Sequence, residues 1–357
     1  MIKGKTDVSV TFTSSMNKTT LKDLALALNL SCSAVSSALN GRSNIPAATQ
    51  ERVRKMAVEM GYRPDARVTQ LMSYLRTGKG SRNAPNLAWL CWDIIGGDAE
   101  TKPWLKGFLN GARNRADELG YAIDLICFTS SQFPPHRLNS IFAARGIEGI
   151  ILSHPCWPSP LDTNLKWSNF ALAELEGMEG APGMAHVGSH GTKCLQTVFS
   201  NFVRLGYRRP GFIVSEWVNQ ANGSQWTAGF LQNQRQLTAE DRIPILESDD
   251  WSGLLAEWMQ THQPDVIVCV NNEIIDQIKS LGYRVPEEVA VVHLNLRSDV
   301  NGWAGIDQRH EDIGAAAVDV VTAQLNRGER GLSKFPKYIY ISGKWVDGWT
   351  CPPRTLQ

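Results

Sequence analysis

A small α-helical head followed by an α/β body of two lobes is the fold class that this chain of 357 residues predicts. Three observations lead to it. Residues 20–62 carry three short stripes of apolar residues at helical spacing, separated by cap and turn residues. Beyond residue 85, short apolar runs alternate with longer amphipathic stretches, the pattern of a parallel α/β sheet. Charge is also unevenly divided: of 36 Lys+Arg and 35 Asp+Glu, the first 80 residues hold 12 and 5, leaving 24 and 30 for the rest. A basic head on a mildly acidic body suits a protein that meets a phosphate backbone at one end.

The elements follow in order. Residues 1–18 are polar and lack helical period, which predicts a disordered arm; Met16, just before the first cap, is a second candidate translation start. Leu21, Leu24, Ala25 and Leu28 make one stripe on a helix that Thr20 caps, with Asp23 as the reciprocal capping partner. Asn29 breaks the pattern. Ser31 then caps a second helix with Ala34, Val35, Ala38 and Leu39 inward, and Asn40-Gly41 stops it. Pro46 stands near the start of a third helix, with Val53, Met56, Ala57 and Met60 inward and Gly61 at its end. Three short helices bury little surface, so this unit reads as a helix-turn-helix DNA-binding head attached to something larger.

In the body, the predicted strands are 87–92, 122–128, 149–153, 185–188, 211–215, 265–270 and 289–294, and the predicted helices are 105–120, 195–206 and 311–327. Ligands in such open sheets sit beyond the carboxyl ends of the strands, so the residues there are the binding candidates.

Several classes are disfavoured. No stretch approaches the roughly 18 apolar residues of a membrane span, and the N-terminus lacks a signal-peptide core, so a cytoplasmic location is expected. The 7 cysteines are dispersed without a C-x-x-C pair, which predicts neither a disulfide framework nor a metal site. Phosphate-loop, dinucleotide and hydrolase motifs are absent, and nothing in the chain calls for a cofactor or catalytic residues; the expectation is a protein that is not an enzyme.

Specific residues carry a family resemblance. Thr20-Leu21-Lys22-Asp23-Leu24-Ala25, Ser31 with Val35-Ser36, Leu39-Asn40-Gly41, Thr49 with Glu51-Arg52-Val53, and Gly61-Tyr62-Arg63-Pro64 resemble the head of the lactose-repressor (LacI/GalR) family of bacterial transcription regulators. Downstream, residues 284–292, Gly305-Ile306-Asp307-Gln308, residues 313–318 and residues 343–348 look like effector-domain signatures of the same family, in the same order and spacing.

That resemblance implies a periplasmic-binding-protein-like type I body of two Rossmann-like lobes. The implied division is a helix-turn-helix domain at 19–62, a hinge helix and linker at 63–84, and an effector-binding and dimerisation domain at 85–357. One lobe would take about 85–205 and 309–331, the other about 206–308 and 332–357. The implied function is a DNA-binding transcription regulator, a repressor, working as a homodimer on a double-stranded operator under a small-molecule effector. A cytoplasmic sugar-binding sensor whose effector response has been lost or changed is the alternative. No heptad tail follows Cys351-Pro352-Pro353, which argues against a coiled-coil tetramer.

The resemblance also assigns DNA-contacting positions to Thr20, Lys22, Ser31, Cys32, Ser33, Ser36, Ser37, Asn40, Arg42 and Arg63. An arginine common in the family at position 37 is here serine, so direct guanine readout from that position is lost. Effector positions fall on Trp92, Asp93, Trp104, His154, Trp157, His190, Trp226, Asn271 and Asn295. Charged residues usual at 190, 226 and 295 are replaced by histidine, tryptophan and asparagine, which favours a neutral carbohydrate, stacked on Trp226 or a neighbouring tryptophan, over an anion. The same tryptophans equally suit a core or a dimer interface. Leu71 matches the leucine that wedges into the minor groove, with Leu75 the other possible register. Leu71→Ala is therefore expected to weaken operator binding in a gel shift while leaving the body folded; normal binding by Leu71→Ala with a defect in Leu75→Ala would assign the wedge to Leu75.

Overall fold

The computed structural model describes residues 19–39, 45–62, 85–92, 103–128, 137–153, 165–176, 183–296, 300 and 302–354, with backbone only at 92, 103, 104, 127 and 128. The chain divides into two compact units, Met1–Gly80 and Ser81–Gln357.

The first unit holds α1 (Leu21–Leu28), α2 (Cys32–Leu39) and α3 (Ala47–Glu59). Their inward stripes close one core of Leu24, Ala25, Leu28, Val35, Ala38, Val53 and Ala57, with Leu21, Leu39, Met56 and Met60 packed around it. Local chemistry sets the helix ends. The Thr20 hydroxyl accepts from the Asp23 amide while the Asp23 carboxylate accepts from the Thr20 amide at 2.8 Å, a reciprocal cap. Asn29 turns the chain in the left-handed region at φ 53°.

The second unit contains two six-stranded sheets. Its elements are β1 (Asn86–Trp92), α4 (Pro103–Glu118), β2 (Ala122–Phe128), α5 (Leu138–Arg145), β3 (Ile147–Leu152), β4 (Ala171–Leu175), β5 (Ala185–Ser189), α6 (Gly191–Leu205), β6 (Pro210–Val214), α7 (Glu216–Ala221), α8 (Gln225–Gln234), β7 (Leu246–Glu247), α9 (Trp251–His262), β8 (Val266–Cys269), α10 (Ile274–Ser280), β9 (Ala290–His293), β10 (Ala304–Asp307), α11 (His310–Arg327), β11 (Tyr338–Ile341) and β12 (Lys344–Val346). The first sheet runs β2-β1-β3-β4-β5-β11 and the second β7-β6-β8-β9-β10-β12, the same permutation twice. Every pairing is parallel except β10 with β12. Both sheets therefore switch direction of winding beside their first strand, at β1/β3 and β6/β8, where open sheets leave a crevice at the carboxyl edge.

Two parts of the expected lobe division are corrected. Helix α6 belongs with the second sheet, because Cys194, Leu195, Val198, Phe199, Phe202 and Leu205 form a stripe inside that sheet's core together with Val214, Phe230 and Val268. The first crossing between lobes thus comes at His190–Gly191, not near residue 205. The segment 332–357 is shared: β11 pairs with β5 in the first sheet and β12 with β10 in the second. Strands β4, β7, β10, β11 and β12 were not expected; the first four-residue alternation missed, Tyr338-Ile339-Tyr340-Ile341, buries only its isoleucines against the core.

In the first lobe α4 crosses α11 at backbone contact. A Cβ on Gly111 would overlap the Glu311 carbonyl, and one on Gly314 would overlap the Phe108 carbonyl. Close-packed interiors do not absorb an added methyl at such a point. Gly314→Ala is expected to cost the body about 1–3 kcal/mol or more, read as a lower urea midpoint with unchanged slope.

Candidate functional site

The candidate DNA-reading face is α2. Helical spacing puts Cys32, Ser33, Ser36 and Ser37 on one side and Val35 and Ala38 on the other, and only the second side is buried. Cys32 and Ser33 are exposed in the first turn, while Ser36 and Ser37 are half-buried. The Ser31 hydroxyl accepts from the Ala34 amide at 3.1 Å, so it caps the helix and leaves the first-turn amides facing outward. Lys22 is exposed in the first turn of α1. The Thr20 hydroxyl also donates to Asp23 at 2.7 Å and is committed to its cap. Arg52, one of the residues that carry the family resemblance, reaches across to the Leu28 carbonyl at 3.4 Å and ties α3 to the end of α1. Asn40, Arg42, Arg63 and Leu71 lie outside the described residues. The resulting face is polar, built of small side chains, and lacks a long forked donor among the described α2 residues.

The candidate effector residues lie at strand ends. Trp92 closes β1, Trp104 lies in the first turn of α4, and Asp93, His154 and Trp157 fall outside the described residues. Cys269 pairs with His293 across β8 and β9, so Asn271 and Asn295, each two residues on, emerge side by side. Asn271 stands beside the β6/β8 switch point. Its backbone carbonyl accepts from the Ile274 amide and begins the turn into α10. The Asn295 amide donates to His293 Nδ1 at 3.2 Å, and its side-chain oxygen is buried without a hydrogen-bond partner.

His190 and Trp226 come together at the first crossing. His190 caps α6: its Nδ1 accepts from the Lys193 amide at 3.4 Å and lies 3.2 Å from the Thr192 hydroxyl. Trp226 lies against Gly191, where a side chain would strike its indole ring. The ring is only 7 % exposed and belongs to the core of the second lobe, with Nε1 buried and unpartnered. An indole with so little free surface offers a sugar no platform, so the expectation of stacking on Trp226 is replaced by a role as a wall of the crossing.

Sequence reasoning missed several residues that hold this region. The Gln225 side-chain oxygen accepts from the Gly191 amide at 3.2 Å, and buried Gln308 donates to the Leu294 carbonyl at 2.6 Å. Glu176 accepts from the Ser189 amide at 2.6 Å, and Tyr340 lies 5.4 Å from the His190 ring. Gln225 opens a helix and Glu176 follows a strand, single polar positions with no period to mark them. Gln308 lies in one of the effector-domain signatures, whose contacts the sequence does not give, and the Tyr-Ile alternation around Tyr340 was a signal that could have been read. Among the described residues no cluster of His, Cys, Asp or Glu could hold a metal ion, and no helix is long and apolar enough to cross a membrane.

A helix-turn-helix unit followed by two α/β lobes of the same strand order defines a DNA-binding transcription regulator built on a ligand-binding fold. Residues 20–65 match the family described as "Bacterial regulatory proteins, lacI family", and residues 199–348 match "Periplasmic binding protein-like domain". The chain thus carries a lacI-type DNA-binding domain followed by a periplasmic-binding-protein-like domain. Catabolite control protein A of Staphylococcus epidermidis is 20% identical over 327 residues, covering 87% of this chain and 93% of that protein. The HTH-type transcriptional regulator RafR of Escherichia coli is 30% identical over 148 residues, 41% of this chain and 40% of its own length. Such relatives are transcription regulators, not enzymes. In fold, the transcriptional regulator CelR in complex with cellobiose superposes with a TM-score of 0.59 at 17% identity, covering 93% of this chain and 100% of that one. The lac repressor dimer bound to operator and an anti-inducer gives a TM-score of 0.56 at 18% identity, over 94% and 100%.

Burial decides how Trp226 should be tested. Trp226→Arg is expected to destabilise the second lobe by about 3–5 kcal/mol, through lost packing and an unpaired buried cation, as a denaturant titration would show.

Proposed function

We propose that this regulator is a repressor that acts in the cytoplasm as a homodimer, binding a roughly palindromic operator through α2 and releasing or retaining it according to a neutral carbohydrate held between the lobes. The observation that carries the DNA half is the outward face of α2, four small polar or thiol side chains at helical spacing beside exposed Lys22. Small side chains reach few base edges, so phosphate contacts and the shape of the duplex supply much of the selectivity.

For the effector, support comes from Asn271 and Asn295, which follow the carboxyl ends of the adjoining strands β8 and β9. A sugar hydroxyl both donates and accepts, which suits the unpartnered Asn295 oxygen. The structurally similar CelR was solved with cellobiose. Coupling would be a population shift: a ligand with different affinity for two lobe arrangements biases the one in which two heads engage DNA.

One experiment tests both halves. Fluorescence anisotropy with the DNA upstream of the protein's own gene should show dimeric binding that falls about 10³-fold or more between ~50 and ~200 mM salt, and at least one neutral sugar from a mono- and disaccharide panel should shift the affinity. Salt-independent binding would remove the operator reading. Binding indifferent to every sugar, but shifted by a phosphorylated or carboxylated ligand, would overturn the carbohydrate assignment.

A further inference from the structure

We infer that Glu176 is an acid-sensitive latch on the first crossing between the lobes: its ionised carboxylate fixes the conformation of Ser189–Gly191, and its protonation frees that segment. The inference concerns the body alone and stands independently of the proposed operator and effector.

The geometry is specific. Glu176 follows β4 directly and has left-handed backbone at φ 45°, an arrangement costly for a residue with a Cβ. That turn aims its side chain along the sheet towards β5, where one carboxylate oxygen accepts from the Ser189 amide at 2.6 Å. Ser189 is the last residue of β5, and the chain leaves for α6 one residue later. The other oxygen lies beside Gly188, where an added Cβ would come within 3.2 Å of it and within 2.9 Å of His186 Nε2. A side chain at 188 would crowd both the carboxylate and the imidazole, and one of them would have to shift.

The latch reaches further segments of the joint. The His190 amide donates to the Ile341 carbonyl at 2.9 Å, tying the first crossing to the end of β11. Among the described residues, the ionisable groups around Glu176 are Glu174 on the preceding strand, His186 and His190 on β5 and its exit, Cys194 on α6, and Tyr338 and Tyr340 on β11. His186 also lies 3.5 Å from Glu174, and its ring is 5.4 Å from Tyr338 and 5.6 Å from Tyr340. Within this group His186 favours the charged carboxylate, and burial raises the Cys194 thiol and the Tyr340 hydroxyl, with the charge of Glu176 adding a smaller push to both.

Two opposing effects make the carboxylate responsive. Burial pushes its pKa above the ordinary glutamate range, and the bond from Ser189 pulls it back down by less. A charge-assisted bond is roughly twice as strong as a neutral one, so protonation weakens the hold on Ser189 while relieving the buried charge. Because the folded pKa is raised, the proton is bound more readily by the folded than by the unfolded chain. The latch therefore opens as pH falls without the fold being lost through this group.

Single-residue hydrogen exchange on the full chain tests this, with rates corrected for intrinsic pH dependence and strand β8 as an internal reference. In the wild type, protection of the Ser189 amide should fall at least ~10-fold relative to β8 between about pH 7.5 and about pH 5. Glu176→Gln, nearly isosteric and unable to titrate, should abolish that pH response. His186→Asn should retain it with a shifted midpoint. A wild-type Ser189 amide that does not respond, a response that persists in Glu176→Gln, or simultaneous loss of protection in β8 would each overturn the latch.

Discussion

The body depends on one constraint: the backbone passes between its two sheets three times, and each passage must be held without a covalent link. At the first, Gly191 accepts the approach of Trp226 and its amide is taken by Gln225. At the second, Arg309 adopts left-handed backbone at φ 59°, its amide donating to Asp307 at 2.8 Å and its guanidinium to Asp312 at 2.9 Å. At the third, Gly343 sits so close to Ile306 and Cys194 that no side chain fits. The first and third are bonded to each other through His190 and Ile341. Passages held by single hydrogen bonds and bare glycines leave the lobes connected but not fused, the condition for hinge motion about a ligand.

Much of the fold was legible because its signals are periodic. The head's three stripes, its Thr20–Asp23 cap and the β2 span were readable directly from apolar spacing and cap chemistry. What escaped was set by tertiary context. The stripe on α6 announces a helix but not which sheet it covers, and the five-residue run Ala171–Leu175 carries too few apolar alternations to separate a strand from a loop. The site was less legible still. Positions such as Asn271 and Asn295 follow from strand ends, whereas Trp226, which the sequence left between pocket and core, lies packed in the core; a sequence does not reveal which way an indole turns.

The buried polar atoms at these places are costly. Leaving a donor or acceptor unpaired costs about 1–3 kcal/mol, and a buried carboxylate is held against its desolvation. Folds retain such groups where charge, hydrogen-bond direction or strain serves something other than stability. Trp226, Asn295 and Glu176 all fall at strand exits or lobe passages, although Trp89 Nε1, within the first core, is also buried without a hydrogen-bond partner. Cysteines show the contrast. Cys269 and Cys351 have thiols pushed up to about 12 by burial and behave as small apolar residues.

The nine residues Tyr338–Val346 supply the sixth strand of both sheets in a single stretch. During synthesis, therefore, the head has all its residues by Tyr62, whereas each lobe must wait for the same late segment before its outer edge is covered. At about 5–20 residues per second the edge of β5 waits on the order of ten seconds or more for β11, whereas the edge of β10 waits only a few seconds for β12. The outer edges of the two lobes are thus completed within a few residues of each other, long after the head has all of its residues.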